Sequence, residues 1–292
     1  IIGKDGDVLP IEEVSDIVRL CAREGVALVP QGGNSSMAGG ATPDATGEAL
    51  LLSMRRMNRL RSISADANVA VAEAGLILAH LHDAAAEVGR RFPLTLGARG
   101  SATIGGLVST NAGGTQVLRY GNARELCLGL EVVTAAGEVW DGLSGLRKDN
   151  TGYDLRDLFI GSEGTLALIV EASLRLTPAP AARRAIRAIY RDVAAAAAAV
   201  ARLMAQPVTP SMLEFMDADA VRLARDVGGA DLPADAGALL MIEADGDPDQ
   251  LPRDIEALMA AAGGDGLVSL DDAADEAARA RLWAARKALS PA

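Results

Sequence analysis

Hydrophobic residues in the first part of the chain switch between helical and strand-like spacing. Residues 11–25 and 76–88 carry apolar side chains at helical intervals, which predicts two amphipathic helices, the first ending at Gly25. Apolar runs that predict strands lie at 26–29, 50–53, 69–73, 128–134, 138–140 and 166–176. Ala-Ala-Gly before position 138 predicts a hairpin turn. The first helix and the strand at 26–29 thus form a predicted helix-to-strand unit that leads into a loop.

A proline pair separates this region from one with a different order of elements. Pro178 and Pro180 stand in an alanine-proline stretch, which is typical of a linker. The spacings beyond it predict a strand at 185–191, a helix at 193–204, strands at 212–216 and 239–243, and a helix at 251–262. This order predicts a ferredoxin-like α+β layer. We therefore expect one domain at 1–180 and a second at 181–292.

Composition narrows the class of protein and its partners. With 292 residues, of which 50% are hydrophobic and 23% charged, the chain has the balance of a globular protein with a large core. A net charge of −11 argues against nucleic acid as a partner, because binding to phosphates depends on Lys and Arg. No apolar run approaches the roughly 20 residues that cross a bilayer, so no transmembrane segment is expected. Cys21 and Cys127 are expected to be reduced core residues, which favours a cytoplasmic protein.

Two glycine-rich loops carry the candidate chemistry. The first, Pro30-Gln31-Gly32-Gly33-Asn34-Ser35-Ser36-Met37-Ala38-Gly39-Gly40, follows a predicted strand, and its glycines allow backbone N–H groups to close around a diphosphate. An empty glycine turn fits this loop equally well. The second loop, residues 93–121, is dense in Gly, Ser, Thr and Asn, and loops of this length are uncommon unless they are functional. Together the loops indicate a long ligand with polar ends.

The loops lack the common nucleotide fingerprints, but a third segment is more specific. The chain has no Gly-x-Gly-x-x-Gly, and Gly3-Lys4 is followed by Asp rather than by Ser or Thr. The third segment reads Lys148-Asp149-Asn150-Thr151-Gly152-Tyr153-Asp154-Leu155 and then Leu158-Phe159-Ile160-Gly161-Ser162-Glu163-Gly164-Thr165-Leu166. In this order, the three segments resemble the FAD-binding oxidoreductases of the vanillyl-alcohol oxidase / p-cresol methylhydroxylase type. The residues of the third segment are most similar to those of the branch that contains D-lactate dehydrogenases, the flavin-binding chains of glycolate oxidase and D-2-hydroxyglutarate dehydrogenases. The resemblance covers about residues 11–180.

The resemblance implies a fold and a set of cofactor contacts. The fold is an α+β, two-subdomain FAD-binding domain of the p-cresol methylhydroxylase type, followed by part of a ferredoxin-like α+β substrate domain. The first loop would wrap the diphosphate, and the other two segments would line the flavin. The implied cofactor-binding residues are Pro30, Gly32, Gly33, Asn34, Ser35, Ser36, Gly97, Ala98, Gly100, Ser101, Ile104, Gly105, Gly106, Asn111, Ala112, Gly113, Gly114, Tyr120, Gly121, Glu163, Gly164 and Ile169. Ser35-Ser36 departs from the Thr-Gly that is more usual in this family.

The resemblance also implies non-covalent FAD, because the family's covalent tethers are His or Cys and none lies in these loops. His80 and His82 fall in a predicted helix, point to different faces and cannot share one metal ion, so ordinary surface or half-buried histidines are expected. The substrate-binding basic residues, the base and the divalent-metal ligands of those relatives that have them would follow Ala292. The chain is therefore expected to stop within the substrate domain, and no catalytic or metal-binding residue is assigned.

The implied activity is oxidation of a D-2-hydroxy acid, of the D-lactate, glycolate or D-2-hydroxyglutarate type, to the 2-oxo acid. Hydride would pass to flavin N5, and an unidentified electron acceptor would reoxidise the flavin. Two alternatives stay open: another flavin oxidoreductase reaction on the same scaffold, and a non-catalytic FAD-binding subunit. A chain that stops within a domain would expose apolar surface, so a homo-oligomer is a further expectation.

Overall fold

The computed structural model describes residues 10–273 and 275–287, and the chain divides into two compact units. Unit 1 runs to Gly114 and resumes from Gly121 to Ala179, whereas unit 2 contains Thr115–Tyr120 and the residues from Pro180 onward. The helices are α1 (Ile11–Glu24), α2 (Leu78–Glu87), α3 (Ile104–Ser109), α4 (Val117–Tyr120), α5 (Ala123–Leu126), α6 (Leu155–Phe159), α7 (Val193–Met204), α8 (Ala218–Asp226), α9 (Leu251–Ala262) and α10 (Glu276–Lys287). The strands are β1 (Leu28–Gln31), β2 (Leu50–Ser53), β3 (Leu60–Ser64), β4 (Val69–Glu73), β5 (Arg90–Arg91), β6 (Cys127–Thr134), β7 (Val139–Gly142), β8 (Ala167–Arg175), β9 (Thr177–Pro178), β10 (Ala182–Tyr190), β11 (Met212–Asp217), β12 (Ala238–Gly246) and β13 (Leu267–Ala273).

Unit 1 is built on a five-stranded sheet in the order β3-β4-β8-β6-β7. Its neighbouring strands are antiparallel, while β1 and β2 form a separate parallel pair. The apolar face of α1 packs Val14, Ile17 and Val18 into one core with Leu168 and Val170 of β8. The helix ends at Gly25, whose φ of 67° requires the left-handed conformation that glycine adopts without strain. This core holds β1 and β8 in place, and the loops that follow or precede these strands form the groove described below.

Unit 2 contains a four-stranded antiparallel sheet in the order β11-β12-β10-β13. Helices α7 and α9 pack on one face through Ala196, Ala199 and Leu258, and α8 packs on the other face through Val221 and Ala224. The order β10-α7-β11-β12-α9-β13 is that of a ferredoxin-like layer, and α8 is an additional helix between β11 and β12. The predicted α+β fold class is confirmed in both units.

Most predicted elements are present, and the errors have local causes. The helices predicted at 193–204 and 251–262 are α7 and α9 without a shift. The strand predicted at 26–29 is β1 (Leu28–Gln31). The sequence did not predict the short elements β5, β9 and α3 to α6, nor β3, α8, β13 and α10. Strand β3 lies at the edge of the sheet, and its exposed residues are largely polar. It therefore has no apolar run from which a strand could be predicted.

Both cysteines are buried and free, as expected for reduced core residues. No helix among the described residues is long and apolar enough to cross a membrane. Gly3-Lys4 and residues 288–292 lie outside the described residues.

Candidate cofactor-binding groove

A groove of about 330 Å³ lies in unit 1, where the glycine-rich segments converge. Its walls come from residues 30–41, 96–112 and 163–169, with Met54 and Ala74 between them. The predicted residues that line it are Pro30, Gly32, Gly33, Asn34, Ser35, Ser36, Ala98, Gly105, Gly106, Ala112, Glu163, Gly164 and Ile169. Three segments that are far apart in the sequence therefore share one cavity.

The first two segments pack so closely that glycine is required between them. A Cβ atom on Gly33 would collide with the carbonyl oxygen of Ser101, and a Cβ atom on Gly32 would collide with the hydroxyl of Thr103. A Cβ atom on Gly105 would likewise collide with Ala74. None of the three glycines has a positive φ, so the requirement is for space rather than for a special conformation.

The hydroxyl of Thr103 marks a polar position in the groove lining. The residue is 3% exposed, and its Oγ1 is buried without a hydrogen-bond partner among the described residues. An unsatisfied buried hydroxyl costs roughly 1–3 kcal/mol. A ligand atom that bonds to this oxygen would recover that energy. The opposite loop is braced by Gln31, whose Nε2 donates to the carbonyl of Ala41 at 2.8 Å.

Glu163 is the one charged side chain among the described residues that line the groove. Its backbone is left-handed with φ 54°, and its N–H donates to the carbonyl of Ser109 at 2.9 Å. Its Oε2 lies 3.7 Å from the position that a Cβ atom on Gly40 would occupy. The groove thus combines glycine backbone, small hydroxyl side chains and a single carboxylate.

The remaining predicted residues lie outside the lining. They are Gly97, Gly100, Ser101, Ile104, Asn111, Gly113, Gly114, Tyr120 and Gly121. Asn111 accepts a hydrogen bond from the backbone N–H of Arg124 at 3.0 Å, and Ile104 is buried at 1% exposure. Gly114 packs on the backbone of Thr95. Tyr120 belongs to unit 2, where its hydroxyl donates to the carboxylate of Asp245 at 3.2 Å.

The structure adds lining residues that sequence reasoning did not assign. They are Gln31, Ala38, Gly40, Ala41, Met54, Ala74, Leu96, Ala102, Leu107, Ser109, Thr110, Ala167 and Leu168. Thr103, which the sequence offers as a hydrogen-bonding residue of the second loop, also lies in the lining. Gln31 and Gly40 lie inside the first quoted loop, so that motif could have included them. Met54 and Ala74 follow ordinary strands, and no local signal distinguishes them.

The histidines take no part in the groove. His80 is exposed, while His82 is half-buried and its Nε2 lies 3.0 Å from the carbonyl oxygen of Leu94. Burial lowers the pKa of His82 below its ordinary value. The prediction of ordinary surface or half-buried histidines is confirmed.

Comparison with known proteins identifies the two units. Residues 10–142 match the FAD binding domain, and residues 179–292 match the C-terminal domain of FAD linked oxidases. The chain belongs to the family of FAD-linked oxidases, since it carries both of these domains. The first of them is an FAD binding domain, as the resemblance implied.

The relatives of the chain support the same branch of the family. The chain is 35% identical over 280 residues to glycolate oxidase subunit GlcD of Bacillus subtilis (strain 168), covering 96% of this chain and 59% of that one. It is 50% identical over 169 residues to the mitochondrial D-2-hydroxyglutarate dehydrogenase of Bos taurus, covering 58% of this chain and 31% of the relative. The chain thus spans less than two thirds of the length of either. A solved alkyldihydroxyacetonephosphate synthase superposes with a TM-score of 0.72 at 22% identity, over 86% of this chain and 49% of that one, which shows the shared fold.

The residues of the groove fit FAD. Gly32 and Gly33 leave no Cβ atoms between the first loop and the second, and the unsatisfied Thr103 hydroxyl offers a hydrogen bond to a polar ligand. Apolar lining from Met54, Leu168 and Ile169 suits a planar ring. The donor set is neutral, so an anionic diphosphate would be held by hydrogen bonds rather than by ion pairs.

Proposed function

We propose that the protein containing this chain is an FAD-dependent oxidoreductase that oxidises a D-2-hydroxy acid to the corresponding 2-oxo acid. The observation that carries the proposal is the convergence of residues 30–36, 98–106 and 163–169 on one groove. The 35% identity to GlcD across 96% of this chain supports the hydroxy-acid class, because that relative is by name a glycolate oxidase subunit.

Within this proposal the chain's own residues bind and orient the cofactor. Gly32 and Gly33 bring backbone close to the diphosphate, and Thr103 donates from its hydroxyl to a polar cofactor atom. Met54 and Ile169 exclude water from the ring. Bound FAD supplies the hydride acceptor for oxidation of the alcohol carbon. No covalent tether is proposed, since the described lining contains neither His nor Cys.

The domain assignment is part of the proposal. Residues 1–180 form the FAD-binding domain, and residues 181–292 form the N-terminal part of the substrate domain. The match of residues 179–292 to the C-terminal domain of FAD linked oxidases supports this division. We place the protein in the cytoplasm, with a separate electron acceptor and with self-association in solution; sedimentation at several concentrations tests the last point.

An anaerobic reduction assay tests the activity. The full-length protein is purified, its oxidised flavin band is recorded, and D- and L-forms of lactate and 2-hydroxyglutarate are added, together with glycolate. Bleaching by a D-hydroxy acid or by glycolate, but not by the L-forms, is the expected result. A bound flavin that no hydroxy acid reduces would favour a different flavin reaction or a non-catalytic subunit. Absence of flavin from the purified protein would overturn the cofactor assignment.

A further inference from the structure

Residues 113–122 form a loop that leaves the wall of the groove and returns to it. Ala112 lines the groove, and its carbonyl accepts a hydrogen bond from the N–H of Ala123 at 3.0 Å, which joins the two ends of the loop. The side chain of Asn111 accepts a second bond, from the N–H of Arg124 at 3.0 Å. Both ends of the 113–122 loop are therefore held in unit 1, beside the groove.

Close packing fixes the ends of the 113–122 loop further. A Cβ atom on Gly114 would lie 2.5 Å from the carbonyl oxygen of Thr95. Gly121 has a φ of 82°, and a Cβ atom on it would lie 2.5 Å from Cβ of Glu125. The Glu125 carboxylate in turn accepts a hydrogen bond from the N–H of Asn122 at 2.8 Å. Ends that are packed in this way cannot absorb a displacement of the middle of the loop, because tightly packed groups transmit strain.

The middle of the 113–122 loop folds with unit 2. Helix α4 contacts β11, and Arg119 Nη1 lies 3.0 Å from Oδ1 of Asp245, near the end of β12. The hydroxyl of Tyr120 donates to the same carboxylate. Asp245 is 2% exposed, and a carboxylate removed from water requires cationic or hydrogen-bonding partners. The loop is therefore attached to unit 2 through a buried charge rather than through a surface contact.

We propose that Arg119 and Asp245 are positioning residues for the cofactor, because they hold the 113–122 loop and with it the wall of the groove at Ala112. The inference rests on the proposed function and deepens it. Without this attachment, FAD would have to order the wall as it binds, and the loss of backbone entropy opposes binding. Coupling between two sites is reciprocal, so FAD in the groove also stabilises the attachment of the loop to β12.

Titration of the flavin-free full chain with FAD tests the effect of the attachment on the groove. Arg119→Met is compared with Arg279→Met, since Arg279 Nη1 lies 3.1 Å from Oε2 of Glu243, on the same strand and the same face as Asp245. The Glu243 side chain is 4% exposed. Both substitutions thus remove a partner from a buried carboxylate of β12, but Arg279 belongs to α10 and not to the loop.

We expect Arg119→Met to raise the Kd for FAD by about fivefold or more, a typical coupling between two sites. Arg279→Met should leave the Kd within about twofold of wild type, since distant sites act independently. Quenching of flavin fluorescence gives Kd, and circular dichroism without FAD shows whether each variant is folded.

A second pair of variants keeps the test decisive if Arg119→Met does not fold. Tyr120→Phe removes only the hydroxyl that donates to Asp245, and we expect the Kd for FAD to rise by about threefold. Tyr190→Phe is its control, because that hydroxyl is also buried in unit 2 but donates to the carbonyl of Ala262 at 2.8 Å. Its Kd should stay within about twofold of wild type.

Hydrogen exchange tests the reverse effect, which a merely structural role of Arg119 would not produce. In wild type and in Arg279→Met, saturating FAD should slow amide exchange in β12 as well as in the groove segments. In Arg119→Met at saturating FAD, the groove segments should still be protected, but β12 should exchange as it does without FAD.

Two results would overturn the coupling and leave the proposed function standing. One is a Kd for FAD that Arg119→Met and Arg279→Met change equally, or that neither changes; the other is FAD-dependent protection of β12 that persists in Arg119→Met. Failure of wild type to bind FAD would overturn the coupling and the proposed function together.

Discussion

Arg119 and Asp245 form an ion pair between residues that lie far apart in the sequence. Arg119 Nη1 is 3.0 Å from Oδ1 of Asp245 and also donates to its backbone carbonyl at 2.8 Å. The Asp245 side chain is 1% exposed, and the hydroxyl of Tyr120 donates to the same carboxylate. The six residues from Thr115 to Tyr120 thus fold with unit 2, although both of their chain neighbours belong to unit 1.

Arg119→Met is expected to destabilise unit 2, because it removes a cationic partner of the buried Asp245 carboxylate. Arg119 is itself 37% exposed, so solvent offsets part of the loss and we expect about 2 kcal/mol. Urea unfolding measures the change. Arg222→Met serves as the control, since it breaks a pair with Asp219 whose side chains are 65% and 81% exposed. Equal effects of the two substitutions would show that the buried carboxylate does not depend on Arg119.

Gly33→Ala is expected to weaken FAD binding by at least about tenfold, because overpacking against backbone costs roughly 1–3 kcal/mol. The added methyl group would meet the Ser101 carbonyl, and the two loops could separate only by changing the groove. Gly145→Ala provides the matched control, since its Cβ would meet only Val69 at an ordinary 3.8 Å. Kd from fluorescence titration is the measurement, and wild-type affinity in Gly33→Ala would contradict the packing argument.

Thr103→Val should change stability and cofactor binding in opposite directions. Without FAD, the substitution removes a buried hydroxyl that has no partner among the described residues, so the protein should be more stable by about 1 kcal/mol. With FAD, it removes a donor, so the Kd should rise. Thermal unfolding with and without FAD measures both effects. Thr103→Ser keeps the hydroxyl and should retain affinity; a loss of stability without FAD in Thr103→Val would contradict the role given to this oxygen.

His82 should make unit 1 less stable as the pH falls below about 6.5. Burial holds the pKa of His82 below its ordinary value, so the unfolded chain takes up the proton first. The stability that neutral His82 contributes to unit 1 is therefore complete above the pKa of the unfolded chain and is lost as the pH decreases. The pH dependence of the unfolding midpoint between 7 and 5 measures it. His82→Gln, which can still donate to Leu94, should flatten this dependence.

Glu131→Gln should stabilise unit 1 at neutral pH and have no such effect in acid. Glu131 lies directly opposite Glu171 in the β6–β8 register, and burial, followed by the charge of Glu171, raises the pKa of Glu131. Glu131 therefore keeps its proton to a higher pH in the folded state than in the unfolded chain. The stability of unit 1 decreases as the pH rises from the unfolded pKa of Glu131 to its folded pKa. Melting curves at pH 4 and pH 8 measure the difference. An equal gain at both values would show that side-chain packing, not charge, is responsible.

Local signals predicted a large part of this molecule. The apolar spacing predicted α7 and α9 to the residue, and the Ala-Ala-Gly turn predicted the β6–β7 hairpin, because each depends on residues that are neighbours in the sequence. Elements without an apolar pattern, such as β3, were not predicted, because pairing with β4 rather than an intrinsic preference makes that segment a strand.

The sequence by itself determined which loops could surround a long polar ligand, since glycine content and loop order are local properties. Only the tertiary structure decided that Met54 and Ala74 join those loops, and that Tyr120 donates to Asp245 rather than lining the groove. Such contacts depend on strand pairing and on the packing of α1 against β8, which bring together residues with no local relation. Periodicity reports the face that a residue presents to the core, whereas the partner it meets there is set by the packing of the whole unit.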